Sequence, residues 1–152
     1  MFSGFKVFLI IAAIVILSYM GSKRTTLGMR INNPFNLRSG RSAWRGKIGD
    51  HEKGFVIFDT LENGVRAGII NLKNGYFSKK LSIEQLVNKY APATENNVFS
   101  YINHIGKYAP EFTPGYVPSN LRDYMLVCKA IVRMEQGFDA VEDDLIMKYL
   151  NS

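Results

Sequence analysis

The stretch Arg30-Ile-Asn-Asn-Pro-Phe-Asn-Leu-Arg38 decides how this chain is read. Three asparagines and a proline in nine residues favour turns over a helix or a central strand. Two short motifs follow, Trp44-Arg-Gly46 and Gly54-Phe-Val-Ile-Phe-Asp59, in which aromatic residues alternate with turn formers. The spacing predicts loops and short strands from 30 to 58, with a hairpin tip at Ser39-Gly40-Arg41-Ser42 and a short apolar strand over 55–58.

Downstream the pattern changes to helical period. Asp59-Thr-Leu-Glu62 reads as a capping box that opens a helix through Leu61, Val65, Ile69 and Leu72. Ser82-Ile-Glu-Gln85 repeats the signal ahead of Ile83, Leu86, Val87 and Tyr90, and Pro92 stops that helix. A third helix is predicted over 97–107, and a loop stiffened by three prolines spans 109–118. The strongest helix is predicted over 121–136, with Leu121, Tyr124, Met125, Cys128, Ile131 and Met134 inward and Gly137 at its end. A last helix over 140–150 has Glu142, Asp143 and Asp144 in its first turn, where the helix dipole favours negative charge. The expected fold class is therefore mainly α, of the α+β type, with a small β region near its start.

Upstream, residues 7–22 are sixteen uncharged, mostly apolar residues between Lys6 and Lys23. As a helix they span about 24 Å, enough for one transmembrane pass if Phe2 and Phe5 join and Lys6 snorkels. Ser18-Tyr-Met-Gly-Ser22 offers no small-x-small cleavage site, so the segment reads as an uncleaved anchor and not a signal peptide. The organisation expected is a transmembrane anchor at 1–22, a linker at 23–29 and one domain at 30–152. Lys23, Arg24 and Arg30 would hold that domain on the cytoplasmic side. A domain facing outward would need the opposite orientation, which a membrane that is later packaged or inverted, as inside a virus particle, would allow; a bacterial envelope membrane is the other location considered.

A formal charge of +6 favours approach to anionic partners. Neither zinc-finger spacing nor a helical basic region is present, so nucleic acid is not expected as a partner. His51 and His104 are isolated and Cys128 is the single cysteine, which argues against a metal site, a disulfide framework or a required cofactor.

What remains is carboxylate chemistry. Cleaving a glycosidic bond needs one carboxyl group that can be protonated; hydrolysis adds a second carboxylate, whereas lytic transglycosylation does not. Candidates are Asp50, Glu52, Asp59, Glu62, Glu95 and Glu135. Glu62 is favoured, being close in sequence to Phe55 and Phe58 at the junction between β region and helix, and Glu52 is expected to assist it. Glu95 reads as a substrate contact and Glu135 as structural. Sugar faces need an aromatic platform and sugar hydroxyl and acetamido groups need amides, roles open to Trp44, Tyr90, Asn33 and Asn36.

The ordered series Arg30-x-Asn-Asn-Pro-x-Asn-x-Arg38, Trp-x-Gly46, Gly-Phe-x-x-Phe-Asp59, Glu-x-Gly-Val-Arg-Ala67, Tyr-Ala-Pro-x-x-Glu-Asn96, Tyr101-Ile and Lys-Ala-Ile-x-x-x-Glu-x-Gly137 resembles a small phage and prophage family. Its members are described as virion structural proteins or lytic transglycosylases. More distantly, Asn33-Pro-Phe-Asn-Leu-Arg38 and Phe58-Asp-Thr-Leu-Glu-Asn-Gly64 are similar to the second half of lysozyme-like glucosaminidases. The resemblance implies a lysozyme-like domain that acts on peptidoglycan during penetration of a membrane-containing phage, with lipid and capsid proteins of the virion as further partners.

One departure matters. Those glucosaminidases carry the catalytic glutamate on a helix before the Asn-x-Phe motif, and no acidic residue precedes Asp50 here. The acid has moved, to Glu62 or Glu52, or it has been lost. Loss would leave a non-catalytic virion membrane protein that binds glycan or anchors the capsid to the membrane.

Overall fold

Apolar residues at helical spacing from five separate segments converge on one core in the computed structural model, which describes residues 25–94 and 97–152. The expected anchor and the first residues of the linker lie outside the described residues, as do Glu95 and Asn96. Among the described residues no helix is long and apolar enough to cross a membrane.

The elements are α1 (Leu27–Arg30), β1 (Lys47–Asp50), β2 (Val56–Phe58), α2 (Leu61–Leu72), α3 (Ile83–Tyr90), α4 (Val98–Gly106), α5 (Leu121–Gln136) and α6 (Asp143–Leu150). The fold is mainly helical with a two-stranded antiparallel sheet. Helix α2 runs on into a wider turn over Lys73–Phe77 and packs on β2 and α6, while α5 touches α1, α4 and α6.

Local signals fix most helix ends. Ser82 and Gln85 form a reciprocal capping box at α3, Asn97 caps α4, and Gly137 ends α5 in the left-handed conformation (φ 79°). Because the Ser82 side chain satisfies a backbone N–H that helix geometry leaves orphaned, Ser82→Ala is expected to cost about 1 kcal/mol, measurable by urea unfolding.

Several boundaries differ from the sequence reading, each for a physical reason. Thr60, not Asp59, caps α2: its hydroxyl accepts from Asn63 N, while Asp59 accepts from the Asn63 side chain. The expected linker already contains the turn of α1, because Gly28 packs directly on Gln136 and Thr26 caps it. The last helix starts at Asp143. In α5, Leu121 and Met134 stand partly exposed, and the buried stripe runs instead through Val127, Cys128, Ala130, Ile131 and Val132. Burial also pushes the Cys128 thiol far above its ordinary range, so it stays protonated and unreactive.

The hairpin tip is displaced too. The turn lies at His51–Gly54, where Gly54 N donates to His51 O at 2.8 Å and Gly54 takes φ 78°, while Ser39–Ser42 is an irregular link. The register pairs Lys47 with Phe58 and Asp50 with Val56, and Ile48 bulges outward.

Candidate functional site

Two asparagines of the opening motif, Asn32 (φ 56°) and Asn36 (φ 48°), adopt the left-handed conformation, which asparagine tolerates better than most residues. Between them, Asn33 is fully buried. Its amide nitrogen donates to Leu37 O (3.0 Å) and Val56 O (2.9 Å), and its oxygen accepts from Leu37 N (2.9 Å). Asn33, expected to touch substrate, thus serves as a strut that ties the loop to β2.

The loop is seated on α2 through two glycines. A Cβ on Gly64 would lie 1.7 Å from Asn32 O, and one on Gly68 would lie 2.2 Å from the Phe35 ring. With Phe35 locked in the core, the loop presents Asn36 toward the end of α5. There Asn36 Nδ2 donates to Glu135 Oε2 at 2.6 Å, and the Tyr101 hydroxyl donates to Glu135 Oε1 at 2.9 Å. Gln136, the next residue, donates to Pro34 O at 2.7 Å and receives a hydrogen bond from Thr26.

Glu135 lines a groove of about 640 Å³ together with Asn36, Arg38, Trp44, Tyr76, Lys89 and Tyr90. Of the residues expected to bind substrate, Asn36, Trp44 and Tyr90 therefore share one surface. Tyr90 is anchored by its hydroxyl, which donates to Phe35 O, and its ring lies 5.9 Å from that of Tyr76. Arg38 sits over the Phe55 ring at 4.5 Å.

Burial, and after it the Glu135 charge, hold the Tyr90 and Tyr101 phenols well above their usual pKa. Both remain neutral donors at any physiological pH. A carboxylate in the last turn of α5 also opposes the helix dipole, so Glu135 is not positioned to stabilise its own helix.

The two carboxylates favoured from the sequence lie elsewhere. Glu52 is exposed in the turn after β1. Glu62 is exposed in the first turn of α2 and reaches α6, where its Oε1 accepts from Lys148 Nζ (2.6 Å) and the Tyr149 hydroxyl (2.7 Å). Those hydrogen bonds, Lys148 first, lower its pKa, the opposite of what a general acid needs.

A depressed carboxylate contributes stability above its unfolded pKa and loses it as pH falls through the folded one. Lys148→Gln is accordingly expected to raise the Glu62 pKa toward the ordinary value, read from side-chain NMR titration, without changing what the groove does.

Glu135 is among the candidate acids of the sequence but reads there as structural, and Tyr101 is not singled out for the groove at all. The signal was present in Glu-x-Gly137, where an acid sits two residues before a helix-terminating glycine, but nothing local tells such an acid from a surface residue.

No protein-family model matches the chain. It is 32% identical over 126 residues to Protein P5 of Pseudoalteromonas phage PM2, an alignment that covers 80% of this chain and 78% of that protein. The chain belongs to the family of this phage protein.

Proposed function

We propose that the chain is a virion-associated, peptidoglycan-cleaving protein of lysozyme-like type, and that Glu135 is its general acid and base. The observation that carries this reading is a carboxylate held on both oxygens at the wall of a groove that also presents Trp44, Tyr90 and Asn36. Aromatic faces and amides are what an aminosugar strand requires.

A carboxylate has about four lone-pair positions, so the bonds from Asn36 and Tyr101 leave one on each oxygen for a proton. Glu135 is the acidic residue of the lining among the described residues. One carboxyl group suffices for lytic transglycosylation. It protonates the leaving glycosidic oxygen as the C1–O bond breaks, then takes the proton of the same sugar's 6-hydroxyl as O6 closes on C1. No water is consumed and the product is an anhydro sugar.

The apolar segment at 7–22 would tether the protein to the virion's internal membrane, placing lipid and capsid proteins among its neighbours. Relationship to a phage protein supports a virion setting.

The test is incubation of the full-length protein in detergent with purified peptidoglycan, followed by mass spectrometry of released muropeptides. Anhydro-sugar ends are the expected result. Reducing ends would instead indicate a hydrolase with a second carboxylate. Absence of release from folded protein would favour the non-catalytic reading, in which Glu135 accepts hydrogen bonds from bound sugar.

A further inference from the structure

The residue after the groove acid faces away from the groove. Gln136, buried at the end of α5, reaches toward α1, and its amide sits in contacts whose polarity is forced. Pro34 O can only accept, so the Gln136 nitrogen must face it, at 2.7 Å. The Gln136 oxygen accepts from the Thr26 hydroxyl on its other side. The same nitrogen also reaches Asn36 Oδ1, at 3.4 Å, which leaves Asn36 Nδ2 as the end that meets Glu135 Oε2.

Packing supports the same arrangement. A Cβ on Gly28 of α1 would lie 2.5 Å from Gln136 Nε2 and 2.7 Å from Asn36 Oδ1, so both amides rest directly on the α1 backbone.

While Glu135 is ionised its own charge turns an N–H toward it, and Gln136 adds little. The difference arises when Glu135 is protonated, the state in which a general acid acts. A free Asn36 amide could then flip and accept the proton from Oε2, tying it to the loop. A held amide goes on donating to Oε2, and a proton on that oxygen must take its other lone-pair position.

We infer that Gln136 is a positioning residue for Glu135: it keeps Asn36 a donor in both protonation states and so keeps the Oε2 proton available to the groove. This rests on the reading of Glu135 as the general acid and adds how its proton is aimed.

Glu135→Gln imitates the protonated acid, since a glutamine amide offers both a donor and an acceptor. The full-length Glu135→Gln protein in detergent, made with isotope-labelled asparagine, is followed by NMR of the Asn36 side-chain amide, assigned by its absence from an Asn36→Asp variant. One pair of amide signals is expected while Gln136 is present. Adding Gln136→Met, which keeps the side-chain length but has no amide, should shift or split that pair as the flipped orientation fills. A second arm measures cleavage of glycan strands with Glu135 intact. There Gln136→Met should lower kcat on the order of tenfold with KM unchanged, because aim and not binding is lost. Thr26→Val loosens the same network but leaves Pro34 O to orient the Gln136 amide, so its kcat should stay near that of the parent.

Two Asn36 orientations in the Glu135→Gln protein with Gln136 intact would overturn the inference, a result that does not require Gln136→Met to fold. An Asn36 signal unchanged by Gln136→Met, or equal losses of kcat in Gln136→Met and Thr26→Val, would overturn it as well. Absence of cleavage by the parent would remove the acid and its positioning together, a failure set apart from the others because the amide signals could still show Asn36 held.

Discussion

Glu135→Gln is expected to cut the rate of glycan-strand cleavage by roughly 10²–10⁴-fold, the usual contribution of a positioned general acid. The substitution changes little else. A glutamine oxygen can still accept from Asn36 Nδ2, and the Tyr101 hydroxyl can rotate to accept from the new amide, so the hydrogen bonds at 2.6 and 2.9 Å have counterparts in the variant. Thermal unfolding should therefore stay close to that of the parent. Initial rates on purified sacculi, with Glu62→Gln as a parallel variant, check the assignment. Loss only at Glu135 supports it, and loss only at Glu62 would return the role to the helix-α2 carboxylate.

The second large effect concerns stability. Asn33→Ala removes three buried hydrogen bonds at once and leaves Leu37 N and Val56 O without their partner, while Leu37 O keeps the bond from Val56 N. At roughly 1 kcal/mol or more for each stranded group the cost is about 2 kcal/mol, with a fall in Tm of about 7 °C. Because the same loop carries Asn36, the groove should lose its function well below the global midpoint. Urea and thermal unfolding measure the first effect, and muropeptide release against temperature measures the second. A cost under about 1 kcal/mol would mean that the loop relaxes or that water replaces the amide.

The helices were readable because their ends are written locally. A serine three residues before a glutamine, or a glycine after a sixteen-residue apolar period, specifies a boundary without help from the rest of the chain. At α2 two cap-forming residues stand side by side, and sequence alone could not choose Thr60 over Asp59.

The groove was half legible for the same reason. Asn36, Trp44 and Tyr90 could be singled out by residue type. Glu62 was favoured because it follows aromatic residues in sequence, but the first turn of α2 aims its carboxylate at Lys148 and Tyr149. Glu135 acquires its meaning only from Asn36, 99 positions earlier, and from Tyr101, 34 positions earlier. No periodicity or capping rule reports contacts of that range.

The hydrogen bond between Asn36 and Glu135 also bears on the order of events during synthesis. A ribosome must have polymerised the chain through α5 before the carboxylate, the tyrosine that holds it and the loop that faces it can meet. An interrupted or truncated product would carry the aromatic half of the groove and no acid. Under the proposed cell-wall-cleaving function, that arrangement would delay activity until α5 has been made, with no separate inhibitor required.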